Sequence, residues 1–438
     1  MGNCSWKVFR RVKSYAKNDA VTKPHHLTSM NLVSSFLEYV LTADEQIELN
    51  DECRVLQALA ATPEIFERIM AAKGQSELGL QSVLRRQFAD DLVRAAITLH
   101  DLRRRAATKF TRADRMWFDR QGLEQSTAEP VARYKVRRFQ GEVLDLCCGI
   151  GSDALALAEQ CQVTAVDINP AACLRARWNA AVYAVGDRVT TRCADVRESI
   201  SQTGLVHIDP DRRPGSSGRV SRIEDYVPGL DFLCELMGNS RGGAIKVSPA
   251  SNFGGKFPDA EIELISLHGE CKEATVWFGE LAGDALFRAT VLPAGESIAG
   301  HPLQVAVPIT ELGRYLYDPD PAVVRAGLVD VLADQLGLQR LDSAEEYLTS
   351  DQRVVSPFVQ GFEVLVSLPN NERDLKSWVR SAGLGQLEIK CRHIPVHADV
   401  LRRKLPLKGT EPGVAIFARL DGKARIVGAK RLTDHTST

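Results

Sequence analysis

The spacing of apolar positions changes character along this chain. Between about Leu32 and Arg105 it is helical. Leu80, Leu84, Phe88, Leu92 and Ala96 recur every four residues, which keeps a slowly drifting stripe on one helical face. The spacing predicts one helix through them that ends in Arg103, Arg104 and Arg105, charges suited to a helix C-terminus. A solvated end is expected there, although the three arginines could also meet phosphate. From Glu142 the pattern alternates between short apolar runs and helical stretches. EVLDLC, QVTAVDI, RVTTRC, LVHIDP and GGAIKVS read as strands with helices between most of them, which predicts a doubly wound parallel α/β sheet. AEIELISLHG and CKEATVWFG follow too closely for a crossover helix, so they are expected to pair antiparallel. The expected total is a seven-stranded, Rossmann-like sheet.

Beyond Pro308 a further unit begins. In YDPDPAVVRAGLVDVLADQLGL, Asp320 is placed as an N-cap with Pro321 at the first helical position. FEVLVSL, LEIKCR and VAIFARL read as strands, with helices around residues 375–381 and 398–404, giving a small α/β domain. Four segments are therefore expected: a disordered basic tail over residues 1–30, an N-terminal helical region over 31–124, the large sheet domain over 125–308, and the small domain over 309–438. The tail has no apolar core of a signal peptide. Trp6 stands where a myristoylation signal needs Ser or Thr. Met30 is an alternative translation start.

Composition narrows the class. The chain has 438 residues, 44% of them apolar and 25% charged, which fits a globular protein of two or three domains. With 55 Lys and Arg against 56 Asp and Glu, no overall field draws it to a polyanion, so such a partner must meet local basic patches. Ten cysteines without a C-x-x-C pair suggest reduced thiols in a cytoplasmic setting. No membrane span is expected, and the nine histidines lead to no metal assignment.

The densest chemistry lies in VLDLCCGIGSDALALA, residues 143–158, a buried strand followed by a glycine turn and a helix start. Gly149-Ile150-Gly151-Ser152-Asp153-Ala154 fits G-x-G-x-x-A, a weak signal shared with dinucleotide sites. Charge discriminates. A pyrophosphate would sit over these glycines, and Asp145 and Asp153 would repel it by about a kcal/mol or more at ~5 Å. S-adenosylmethionine (SAM) carries an ammonium and a sulfonium, which reverses the sign. Asp167 closes the second strand, where an acid can accept from both ribose hydroxyls, with Ile168 beside it. Asp195 follows the third strand and can accept from the adenine amine, with Val196 lining the ring. Asp209 closes the fourth, beside the expected methyl. Ligands of such sheets bind at those strand ends; each acid alone could equally cap the helix that follows.

These residues carry a resemblance. VLDLCCGIGSDALALA, AVDINPAACLRARWNAAVY and CADV look like the trimethylguanosine synthase branch of the class I SAM-dependent methyltransferases. QSTAEPVARY, residues 125–134, is similar to the Ser-Val-Thr-Pro-Glu segment of that branch, which implies that Thr127 and Glu129 help hold the methionine end of SAM. IDPDRR, RIEDYVPGL, KVSPASNF, CKEATVWFGEL and YLYDPDPAVVRAGL resemble a bacterial group of methyltransferases with a THUMP-like C-terminal domain. Base-amine methyltransferases commonly carry Asp/Asn/Ser-Pro-Pro-aromatic at the fourth strand. Here the tetrad is Asp209-Pro210-Asp211-Arg212. Asp211 could accept an amine proton and the Arg212 guanidinium could stack on a base, or Arg212 and Arg213 could form ion pairs on a loop.

Ser248, after the fifth strand, either faces the substrate or caps a turn. Residues 215–218, Gly-Ser-Ser-Gly, with Arg212, Arg213, Arg219 and Arg222 around them, form a candidate lid over a phosphorylated substrate. Trp178 and Trp277 read as core. Cys147 and Cys148 read as small turn residues rather than nucleophiles. The expected activity is SAM-dependent methylation of RNA, tRNA or rRNA, at a base nitrogen. A non-catalytic RNA binder that keeps the SAM fold, or a small-molecule methyltransferase, are the alternatives. In the last domain Lys390, Arg392, Arg402, Arg403, Lys404 and Lys408 concentrate with few acids between them and form the expected RNA contact.

Overall fold

The computed structural model describes residues 50–72, 76–198, 203–212 and 222–433. The basic tail, Met30 and the 215–218 loop with Arg213 and Arg219 lie outside the described residues. Among the described residues four helices come first: α1 (Asp51–Ala60), α2 (Glu64–Ala71), α3 (Glu77–Leu84) and α4 (Asp90–Ala106). The single helix expected from Leu80 to Arg105 is thus two, because α3 stops at Leu84 and α4 starts on the acidic pair Asp90 and Asp91. Leu84 and Ala96 are both buried, so the stripe survives the break; a period of four does not distinguish one helix from two in succession. The arginine triplet does end α4, but Arg103 is not solvated. It donates to the carbonyls of Met116 (2.8 Å) and Arg115 (3.2 Å) and lies over the Phe66 and Trp117 rings. Burial pulls its pKa down to about 10.

After α5 (Arg120–Gln125) and α6 (Glu129–Lys135) comes the large sheet. Its strands are β1 (Glu142–Leu146), β2 (Gln162–Asp167), β3 (Val189–Cys193), β4 (Thr203–Ile208), β5 (Ser240–Val247), β6 (Glu261–Leu267), β7 (Glu270–Gly279), β8 (Phe287–Leu292) and β9 (Glu296–Gly300). They run in the order β3-β2-β1-β4-β5-β7-β6-β8-β9. The first five are parallel, with α7 (Ser152–Leu157), α8 (Pro170–Val182) and α9 (Leu230–Asn239) among the crossovers. β6 and β7 pair antiparallel, as their short connection requires.

The sheet has nine strands, not the expected seven. β8 adds to β6 in parallel and β9 returns beside it. β6 is buried along its whole length, so it needs cover on its open side. β8 supplies it, with partners for two buried acids. Arg288 pairs with Glu261 at 2.5 Å and Thr290 donates to Glu263 at 2.5 Å.

The second sheet holds β10 (Tyr315–Pro319), β11 (Gln339–Arg340), β12 (Leu348–Ser350), β13 (Val359–Pro369), β14 (Leu384–Cys391), β15 (Glu411–Leu420) and β16 (Lys423–Arg431), in the order β11-β12-β10-β13-β16-β15-β14. With it go α10 (Pro321–Arg325), α11 (Val329–Leu336), α12 (Glu372–Ser381) and α13 (Ala398–Lys404). Asp320 caps α10 through the Ala322 amide at 2.8 Å, with Pro321 in the first turn. The sheets share one core. A single apolar cluster runs from Val206 and Ile262 to Val323, Leu332 and Leu348.

Arg103→Ala should remove two hydrogen bonds and strand two carbonyls, lowering stability by about 1–3 kcal/mol. A thermal unfolding curve that does not shift would show the clamp to be idle.

Candidate functional site

The turn after β1 is made by three left-handed residues, Cys147 (φ 56°), Gly149 (φ 54°) and Gly151 (φ 84°). The two glycines serve different needs. A Cβ added to Gly149 would meet nothing within 4 Å, whereas one on Gly151 would lie 3.0 Å from the backbone and Cβ of Ala176. Gly149 therefore offers bare backbone to open space. Gly151 instead lets α8 approach, and it is not among the residues lining the cleft, contrary to the expected ligand contact.

That open space is a cleft of about 390 Å³ at the ends of β1, β2 and β4. Asp145, Gly149, Asp167, Ile168, Asp195 and Val196 line it. So does the whole tetrad, Asp209, Pro210, Asp211 and Arg212. Asp167 accepts from the amides of Gly149 (2.8 Å) and Asn169 (2.9 Å), bracing the turn. Burial raises its pKa above the usual carboxylate value. Ile168 is 68% exposed beside it, an apolar surface at the cleft edge. Asp195 pairs with Arg197, which holds its pKa at about 2. Burial, reinforced by Asp167 and other acids, pushes the Cys147 thiol well up, which fits a turn residue rather than a nucleophile.

Asp145 is the deepest acid. Its Oδ1 lies 2.7 Å from His207 Nδ1, and its Oδ2 is buried with no hydrogen-bond partner among the described residues. Behind it stands a buried charge cluster. Lys135 Nζ reaches Asp153 Oδ1 (2.8 Å), Glu273 Oε1 (2.6 Å) and His207 Nε2 (3.3 Å). Burial alone would raise Asp153, but Lys135 drives it well below the usual range.

Thr127 belongs to this cluster rather than to the cleft wall. It donates to Asp153 Oδ2 at 2.7 Å and lies 3.3 Å from Glu273 Oε2, so it can act on a ligand only through Asp153. Glu129 is engaged elsewhere. It accepts from the Thr111 amide (2.6 Å) and the Tyr183 hydroxyl (2.8 Å), and pairs with Arg133 at 2.7 Å. Ser248 accepts from the Ala250 amide at 3.2 Å and takes the capping role. Trp178 and Trp277 are both fully buried.

Several participants carried no role in the sequence. Lys246 on β5 lies 2.5 Å from Asp209 Oδ2 and donates to the Gln125 carbonyl at 2.9 Å. Gln125 Nε2 in turn donates to Asp211 Oδ1 at 3.1 Å. Asp119, Gln121 and Gly122, in and before α5, form a further wall of the cleft. Lys109 pins that wall by donating to the carbonyls of Leu123 (2.7 Å) and Ser126 (3.0 Å), and burial pulls its pKa down to about 8. The available signal was a charged residue inside an apolar strand: Lys in GGAIKV and His in LVHI.

The expected basic surface divides. Lys390 and Arg392 both pair internally with Asp318, at 2.8 and 2.5 Å. Arg402, Arg403 and Lys404 lie on α13 and are exposed, with Arg402 paired to Asp399 and Lys404 to Glu372, both at 2.9 Å. Asp318 and Glu372 come from distant segments, which the local run did not reveal, whereas Asp399 lies within it.

A sheet in the order 3-2-1-4-5-7-6, with β7 antiparallel and a glycine turn and acids at the strand ends, defines a class I methyltransferase fold. Comparison with known proteins agrees. Residues 140–212 match the family model for RNA cap guanine-N2 methyltransferase, and residues 359–431 match that for a THUMP domain-like unit. An uncharacterised SAM-dependent methyltransferase of Mycobacterium tuberculosis is 36% identical over 331 residues, 73% of this chain and 90% of that protein. An uncharacterised RNA methyltransferase of Parasynechococcus marenigrum is 34% identical over 95 residues, 20% of each protein. A crystal structure from Porphyromonas gingivalis W83, described as that of a methyltransferase, superposes with a TM-score of 0.66 at 20% identity, covering 92% of this chain and 99% of that one. The chain belongs to the SAM-dependent methyltransferases and carries a THUMP-like domain at residues 359–431.

The cleft fits that cofactor. The unpartnered Asp145 Oδ2 suits an ammonium, Gly149 leaves room against its backbone, and Asp167 keeps lone pairs for hydroxyl donors. Gly149→Val should weaken SAM binding at least tenfold by calorimetry while lowering stability by about 1 kcal/mol, the strain of a side chain in the left-handed region. Gly151→Val should do the reverse, unfolding the protein by several kcal/mol through its clash with Ala176. Equal effects on binding and stability at both positions would disprove this division of labour.

Proposed function

We propose that the protein methylates an exocyclic amino nitrogen of a base in RNA, tRNA or rRNA, and that Asp209 aims that nitrogen. The observation that carries this reading is the Asp209 carboxylate at the end of β4, held through Oδ2 by buried Lys246 at 2.5 Å and lining the same cleft as the glycine turn. The cofactor supplies a methyl already activated on a sulfonium, so the protein's share of catalysis is chiefly placement of the nucleophile. Asp209 Oδ1 and the Pro210 carbonyl can accept the two N–H bonds of an amine, turning its lone pair toward the methyl. Lys246 keeps the carboxylate from rotating away. Asp211 is fixed by Gln125 and by main-chain pairing with Val227 at 2.8 Å. Arg212 can stack its guanidinium on the base.

The match to the RNA cap guanine-N2 family spans the turn and the tetrad together, and the RNA methyltransferase relative supports the same substrate class. The changed tetrad favours a second reading, a non-catalytic RNA binder.

The residues of this pocket can be tested separately. With unmodified RNA from a strain lacking the gene and SAM labelled in the methyl group, wild-type protein should label RNA. Asp209→Ala should cut turnover about 100-fold or more with SAM affinity nearly unchanged. Lys246→Met should reduce turnover less. Equal losses of turnover and SAM binding would make Asp209 a cofactor ligand only, and a wild type that never labels RNA would favour the non-catalytic reading.

The THUMP-like unit is proposed to deliver the substrate through α13. Arg402→Glu with Arg403→Glu should weaken RNA binding and flatten its log–log salt dependence by roughly 1.5, leaving SAM binding intact. RNA affinity that survives at matched salt would move the contact to another surface.

A further inference from the structure

Three metal-ligating side chains meet in the C-terminal unit, far along the chain from the cofactor turn. Glu345 and Glu346 stand in the loop between β11 and β12, and His393 follows β14. One ligand atom from each lies within 4.8 Å of the others, and Glu346 Oε2 is 2.6 Å from His393 Nε2. Glu345 is 0% exposed. Its Oε2 accepts from the Arg419 amide at 3.0 Å, while its Oε1 is buried with no hydrogen-bond partner among the described residues.

A buried carboxyl with one oxygen unpaired, next to a second carboxylate, is satisfied either by a proton or by a cation. Two neighbouring arginines make their hydrogen bonds to other groups. Arg392 binds Asp318 Oδ1 (2.5 Å) and the Pro319 carbonyl (2.8 Å). Arg340 gives Nε to Asp330 at 2.5 Å and NH1 to the main-chain carbonyl of Glu345 at 2.7 Å.

We propose that Glu345, Glu346 and His393 bind a divalent transition-metal cation of the zinc class. Two carboxylate oxygens and one imidazole nitrogen are a usual donor set for such ions. Drawing the three atoms to the spacing of tetrahedral bonds, about 3.3 Å for bonds of about 2.0 Å, needs only small side-chain movement. His393 is partly exposed, at 46% for its side chain, which provides the entry path. The ion would fasten the β11–β12 loop to the end of β14. The same loop is already tied to the neighbouring β15–β16 turn by the Gly422 amide, which donates to Asp342 Oδ2 at 2.7 Å.

The expectation of no metal came from the histidines and from the lack of a C-x-x-C pair among the cysteines. His393 and His397 do stand four apart, but Pro395 lies between them and His397 is the N-cap residue of α13. The partners of His393 come from 47 residues upstream, beyond any local motif.

The test uses the full chain stripped with a chelator and reloaded with zinc or cobalt. After dialysis, elemental analysis should find one zinc per chain, and zinc should raise Tm by several degrees. His393→Ala and Glu346→Gln, both at partly exposed positions, should retain no zinc and lose the Tm shift while keeping the wild-type circular dichroism spectrum. Glu345→Gln should lose the shift while its metal-free form melts no lower than the wild type. The cobalt spectrum should show only weak ligand-field bands, without the intense charge transfer of a thiolate. The proposal fails if zinc neither stays nor shifts Tm, if the His393 and Glu346 variants retain it, or if a thiolate band places the metal on cysteine.

Discussion

A fully buried ammonium organises this molecule. Lys135 leaves the end of α6 and meets Asp153 at the start of α7, Glu273 on β7 and His207 on β4. Helix, turn and both halves of the sheet are thereby fixed to one point beneath the glycine turn. Removing one member of a buried ionic cluster commonly costs about 3–5 kcal/mol, because the others remain charged without a partner. The cluster also carries more carboxylates than cations. Asp145, Asp153 and Glu273 face Lys135 and a histidine, so the floor of the cleft favours positive ligands. That charge balance suits a cofactor with an ammonium and a sulfonium on a turn that would elsewhere cradle phosphates.

On the proposed roles, binding and chemistry draw on different residues. Asp145 and Asp167 belong to the turn side of the cleft, with Asp167 braced by the Gly149 and Asn169 amides. Asp209 belongs to a second circuit, Asp209–Lys246–Gln125–Asp211, that joins β4, β5 and the segment before β1. α5 thus closes the cleft and also supplies the carbonyl that orients Lys246. Placement of a nucleophile depends on sub-ångström positioning, and a fourth-strand loop tied at both ends is suited to that.

The sequence made the large sheet legible because most early strands are short apolar runs, four of the five carry an acid at or near their ends, and the β6–β7 connection is too short for a helix. Most of the residues expected at the site line the cleft. Thr127, Glu129 and Gly151 do not, since neither motif nor spacing tells a ligand contact from a residue packed just behind one. β8 and β9 were hidden because their reason lies in Glu261 and Glu263, buried acids whose partners are supplied from across the fold. Lys246 was hidden likewise. A lysine in an apolar strand signals a buried partner, but only the strand order shows that the partner is Asp209. The basic run near the C-terminus was legible only in part for the converse reason, since Asp318 and Glu372 neutralise some of it from afar.

The C-terminal unit is not a tethered accessory. The apolar cluster that contains Val206 and Ile262 continues without interruption through Val323, Leu332 and Leu348, and Ser266 on β6 donates to Asp320, the cap of α10, at 2.8 Å. Arg325, at the end of α10, lies over Phe253, donates to the Ser251 carbonyl at 2.7 Å and also bonds the Pro249 carbonyl. Ser251 in turn bonds the Tyr226 hydroxyl, and the adjacent Val227 pairs with Asp211. On the proposed function, a substrate gripped on the second sheet would be referred to the tetrad through packed side chains and two short loops rather than through a flexible linker. The distance between that grip and Asp209 would then be set by the fold, so the length of substrate between the two contacts would help determine which nucleotide is presented.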